Sequence, residues 1–139
     1  MAKTILRDCT ITVNGVDLSN HISSVEINQE KDDVDLTAFT SAMKEHGVGL
    51  GDGTMVLNFF QDFAAASVDS VLFPAFAAGT PIPIVVRATA AAVSATNPKY
   101  TMQGLLMNYS PLAGSVGEAS QTQVTFQNGD PSGIVRATS

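Results

Sequence analysis

One stretch of this sequence, and only one, abandons a two-residue rhythm. In QDFAAASVDSVLFPAFAAGTP (61–81) the apolar residues Val68, Val71, Leu72, Ala75 and Phe76 recur at helical spacing. Ser67 suits the N-terminal cap and Gly79 the stop, which predicts a helix over about 67–78. Pro74 falls inside it. A proline in a helix interior costs about 3 kcal/mol, so either a kink at Pro74 or a start nearer Asp69 or Ser70 is expected. One helix among strands excludes the alternating order of a parallel sheet and predicts a mainly β, α+β chain, an antiparallel β-sandwich or barrel with one flanking helix.

The strands read by alternation. Cys9, Ile11 and Val13 share one face and Thr10 and Thr12 the other, ending at Asn14-Gly15, a two-residue hairpin signal with Val16 to Leu18 as the return. Ser23 to Lys31 sets Val25 and Ile27 against Ser24, Glu26 and Asn28; its continuation EKDDVDLTAF gathers charge and resumes with Val34, Leu36 and Ala38, as a long strand or a hairpin with an acidic bend. Thr54 to Gln61 reads as a buried strand. Further strands are expected at Ile82 to Ala88, Tyr100 to Tyr109, Thr122 to Gln127 and Gly133 to Ala137. Residues 40–53, TSAMKEHGVGLGDG, carry four glycines in their last seven positions and read as a long Gly-rich loop of the kind that orders against a partner.

The strand near the C-terminus divides unusually. Thr122, Val124 and Phe126 face one way, while Gln121, Gln123, Thr125 and Gln127 face the other without a single charge. Solvated strand faces ordinarily carry Lys and Glu. The shortage extends to the whole chain: charged residues make up 14% of its 139 positions, against about 25% in an ordinary soluble domain. Charge is depleted where surfaces become buried against other chains, so a single domain over 1–139 that associates with itself is the expectation. With seven Lys plus Arg and a net charge of −6, tight nucleic-acid binding is excluded.

Residues that could carry chemistry read better as structure. Cys9 lies on the apolar face of the first strand, so a thiol nucleophile served by His21 or His46 is the weaker reading. Asp32, Asp33 and Asp35 lack the Gly and distal Glu of a calcium loop and read as a solvated turn. GLGDGT (49–54) opens a strand where a phosphate loop would open a helix. Glu26, Glu30, Glu45 and Glu118 have no catalytic motif around them. No enzyme activity, cofactor or metal is expected. The N-terminal MAKTILRDCT has no apolar core of leader length and no segment is apolar enough to span a membrane, so a soluble chain without a membrane partner is expected.

The order of elements resembles the tail tube (major tail) proteins of long-tailed phages. The likeness rests on SVLFPAFAAGTPIPIVVRA, a helix running into Gly-Thr-Pro and a strand, then KYTMQGLLMNYSPLAG, then EASQTQVTFQNGDPSGIVRAT, and spans about residues 9 to 137. It implies hexameric rings stacked into a tube, a virion location after synthesis in the bacterial cytoplasm, and DNA that passes through the lumen without being held. Tape measure, terminator and distal tail proteins are the implied partners. By the family pattern a long loop reaches the neighbouring ring, which points to Lys44, Glu45, His46, Val48 and Leu50. A mostly negative lumen points to Glu26, Glu30, Asp32, Asp33 and Asp35. Gln121, Gln123, Thr125 and Gln127 would face a subunit seam or the lumen, since amides and hydroxyls can bond there without burying a charge. A tail terminator or head–tail joining protein and a capsid decoration protein share these features. A carbohydrate- or receptor-binding module is a more distant alternative, disfavoured by the absence of Trp and the presence of two Tyr.

Overall fold

The computed structural model describes residues 5–139; the first four residues of the N-terminal stretch read above for a leader lie outside them. Strand β1 (Thr10–Val13) turns through Asn14 and Gly15, at φ 50° and 83°, into β2 (Val16–Asp17). Two successive positive φ values define the hairpin turn that asparagine followed by glycine tolerates best. A short 3-10 turn (Ser19–His21) leads into β3 (Ile22–Asp35), followed by β4 (His46–Phe60), α1 (Val68–Ala78), β5 (Ile82–Arg87), β6 (Lys99–Leu106), β7 (Gln121–Asn128) and β8 (Val135–Ala137).

The helix starts at Val68, not at Asp69 or Ser70, and runs through Pro74. Its N-terminus is secured from the side chains: Ser67 donates its backbone N–H to Ser70 Oγ at 2.8 Å, and Ser67 Oγ donates to Asp62 at 2.7 Å. At the other end Gly79 takes φ 66° and returns its N–H to the Ala75 carbonyl, the left-handed stop that glycine permits.

All eight strands belong to one antiparallel sheet in the order β2-β1-β5-β6-β7-β4-β3, with β8 added beside β6. Strand β6 changes partner along its length. Lys99 to Thr101 pair with β8, and Gly104 to Leu106 pair with β7. At the change, Gly104 is too close to Ile84 to carry a side chain: a Cβ there would stand 2.6 Å from the isoleucine Cδ1. One face of the sheet supplies Ile11, Val13, Met55, Leu57, Phe59, Ile84, Val86, Met102, Val124 and Phe126 to a single core, which α1 closes with Val68, Leu72 and Ala75. Burial of each large side chain contributes about 1.5–3 kcal/mol, and the period-2 pattern ensures that all fall on the same side.

Two readings of the sequence are corrected here. Of the loop expected at 40–53, residues 46–53 are strand, and the true connection is 36–45. Asp32, Asp33 and Asp35 stand in β3, not in a solvated turn. Glycine has low strand propensity, which made the segment look irregular, but pairing with β3 from Gln29↔Gly53 to Asp35↔His46 decides the conformation.

Candidate assembly surface

The face of the sheet away from the core forms cross-strand rows. Glu26, Val56 and Thr125 make one; Asn28, Thr54 and Gln127 the next; Ser24, Asn58 and Gln123 a third. The acidic and the amide-rich segments, separated by about a hundred residues, therefore occupy one continuous surface. Thr54 Oγ1 donates to Gln127 Oε1 at 3.3 Å within it. Gln121 and Gln123 are exposed, Thr125 and Gln127 half-buried, while Thr122, Val124 and Phe126 are buried as expected.

Beyond Glu30 the acidic residues divide between the two sides of the sheet. From Lys31 to Asp33, β3 advances two residues while β4, from Gly51 to Val48, advances three, so the extra residue of the bulge belongs to β4. The alternation of β3 is therefore unbroken: Asp32 follows Glu26 and Glu30, whereas Asp33, opposite Val48, and Asp35, opposite His46, point the other way. The bulge turns Gly49 to the side of Asp32, whose Cβ would lie 3.1 Å from one added at Gly49. Three of the five acidic residues singled out above thus share a face, and Asp52, opposite Glu30, joins them.

Strand β7 accompanies β4 only as far as Thr54. Beyond it β3 and β4 continue as a two-stranded arm with solvent on both sides. On one side Gly47 lies under Leu36 and Gly49 under Val34, so the glycines leave a shallow floor that β3 side chains cover. On the other, Val48 is 74% exposed, and Leu50, at the bulge, is 82% exposed. The tip is closed by Leu36 N–H to the Glu45 carbonyl (2.8 Å), Glu45 N–H to Thr37 Oγ1 (2.8 Å) and His46 Nδ1 with Asp33 Oδ1 (2.8 Å). Asp35 accepts from the Thr37 hydroxyl and N–H, which holds its carboxyl below the usual range. Two-stranded ribbons are marginal alone in water, and this one presents Val34, Leu36, Phe39, Met43, Val48 and Leu50 to solvent. Lys44 and Glu45 sit in the connection and His46, Val48 and Leu50 on β4. The sequence reading missed Val34, Leu36 and Asp52; the signal was the glycine at every second position from Gly47 to Gly53, a period-2 pattern like any other strand.

The polar cluster at the base of α1 is structural. Asp62 accepts from Ala64 N–H (3.0 Å), Ser67 Oγ (2.7 Å) and His21 Nε2 (3.0 Å), and these bonds, the Ala64 one foremost, hold its carboxyl below the usual range. Serine and histidine both donate to the same carboxylate oxygen, so the hydroxyl is not directed at the imidazole as a nucleophile's would be. The Tyr109 hydroxyl donates to Asp69 Oδ1 at 2.5 Å and accepts from Gln61 Nε2 at 3.1 Å; burial and then Asp69 push its pKa up to about 12. Cys9 packs against the core, and burial followed by Asp8 raises its thiol, the opposite of activation. Among the described residues no three His, Cys, Asp or Glu are placed to hold a metal ion, and no helix is long and apolar enough to cross a membrane.

No family model matches the chain, and no curated protein matches it. Solved structures do. The SPP1 tail tube superimposes with a TM-score of 0.77 at 10% identity, over 99% of this chain and 80% of that one. This chain has a tail-tube fold. The tail of a gene transfer agent particle, refined with C6 symmetry, gives 0.66 at 13% identity over 86% and 82% of the two chains. The sheath/tube terminator of the PVC extracellular contractile injection system gives 0.73 at 8% identity over 99% and 98%. At these identities the fold is what is shared.

Proposed function

We propose that this chain is a structural virion protein that assembles into hexameric rings stacked as a tail tube, with DNA passing through the lumen. The observation that carries the reading is the arm: a tail-tube fold whose β3 and β4 run past the body with apolar residues on both sides, a form that needs a neighbour to cover it. The face carrying Glu26, Glu30, Asp32, Gln121, Gln123, Thr125 and Gln127 is the proposed lining and seam. Acidic and neutral polar side chains let a polyanion pass without adhering. Lys44, Glu45, His46, Val48 and Leu50 are the proposed contacts to the adjoining ring. Other tail proteins are the proposed partners at the tube's ends and interior, and the protein's role is non-enzymatic.

The terminator is the second reading, because the PVC terminator shares the fold over the whole chain. A terminator forms a ring that ends a tube. Electron micrographs of the purified protein separate the two: tubes of stacked rings support the tail-tube reading, and isolated rings that never stack support the terminator.

A further inference from the structure

The outer face of the sheet carries two like-charge pairs, each set directly across a strand ladder. Glu30 opposes Asp52 on β3 and β4, and Arg87 opposes Lys99 on β5 and β6. Opposed like charges destabilise a sheet, and among the described residues no salt bridge offsets them. Among the described residues the ion pairs are His21–Asp62 and His46–Asp33; Arg87 and Lys99 lie in neither. Arg87 donates to the Ala91 carbonyl at 2.9 Å and acts on Asp17 only weakly, as the smallest influence on that carboxyl. Both pairs lie on the side of the sheet away from the core, with Glu30 and Asp52 exposed and Arg87 and Lys99 half-buried.

We infer that the two pairs meet between copies: Glu30 and Asp52 of one subunit dock against Arg87 and Lys99 of the next. The inference rests on the self-assembly proposed above and specifies its contact. The occupant is a second copy of this chain because the patches are opposite in sign, each doubly charged, and present together on every copy. Since they are different patches, the contact is head-to-tail, and its repetition gives a ring where the rotation closes and a filament where it does not. The strand order places β3 at one edge of the sheet and β5 and β6 in its interior, so the acidic patch lies at an edge and the basic patch on the outer face, and the contact sets the edge of one copy against the face of the next.

Reversing one pair at a time tests this without altering the repulsion inside the chain, because each reversed pair is still a like-charge pair. Glu30→Lys with Asp52→Lys gives a chain with two basic patches; Arg87→Glu with Lys99→Glu gives one with two acidic patches. Each variant alone is expected to need at least about tenfold more protein than the wild type to assemble, as like charges then meet at every contact. An equimolar mixture is expected to assemble near the wild-type concentration as an alternating copolymer, and so is the fourfold variant. Wild-type assembly should also weaken as salt rises from about 0.05 to 0.5 M, through screening. Wild-type-like assembly of either variant alone, failure of the mixture, or indifference to salt overturns the inference while leaving self-assembly standing. A wild-type chain that never assembles overturns both. Should a variant fail to fold by circular dichroism, the salt dependence of the wild type decides.

Discussion

Gly53 lies against Ile134, so close that a Cβ placed at position 53 would stand 2.9 Å from the isoleucine Cδ1. This contact closes the body at the foot of the arm, where β4 leaves β7 and enters the two-stranded region. Gly53→Val is expected to cost about 1–3 kcal/mol in urea unfolding, by overpacking. Gly51→Ala, whose Cβ would meet nothing nearer than 3.6 Å, should cost clearly less. Equal losses would mean that the foot of the arm is not packed as described.

The arm can be removed at a register pair. Lys31 opposes Gly51, so joining these positions with an Asn-Gly turn excises the tip and keeps the ladder in phase. The shortened chain should keep the circular dichroism and unfolding cooperativity of the parent and lose the ability to stack. Loss of folding would place the arm in the core rather than at an interface.

Thr122 is 1% exposed and its hydroxyl has no hydrogen-bond partner. Valine has nearly the same shape and no polar atom to desolvate. Thr122→Val is therefore expected to raise stability by about 1–2 kcal/mol in chemical denaturation. A loss of stability would reveal a partner for the hydroxyl.

Tyr109 ties the segment after β6 to the first turn of α1 through Asp69. Its pKa rises from 10.0 to about 12 in the folded chain. The proton is thus held more tightly in the folded than in the unfolded state. The resulting stabilisation is complete below pH 10 and disappears as pH climbs from 10 to about 12. Tyr109→Phe should lower stability near neutral pH by about 1 kcal/mol and flatten the alkaline slope seen in the wild type. An unchanged slope would place the alkaline sensitivity in another group.

The strand faces, the single helix and its Ser67 and Gly79 ends were legible in the sequence because each rests on local chemistry: alternation, capping and a glycine stop. The partition of Thr122, Val124 and Phe126 from the glutamines followed from the same alternation. The arm was not legible, because glycine stands at every second position of β4 from Gly47 to Gly53, and a strand whose alternate residues lack side chains has no hydrophobic rhythm to read. Nor was the meeting of Glu30 with Asp52, which depends on a register of β3 and β4 that only cross-strand pairing reveals. The pairing of Arg87 with Lys99 depends likewise on the register of β5 and β6, set by long-range packing.

Self-assembly is the central claim, and sedimentation velocity over a concentration series tests it most directly. The account predicts that the single-chain species gives way, as concentration rises, to a ring species of about six chains and then to larger stacked assemblies, in keeping with a closed head-to-tail contact. A single 139-residue monomer at every concentration and at low and high salt would contradict it.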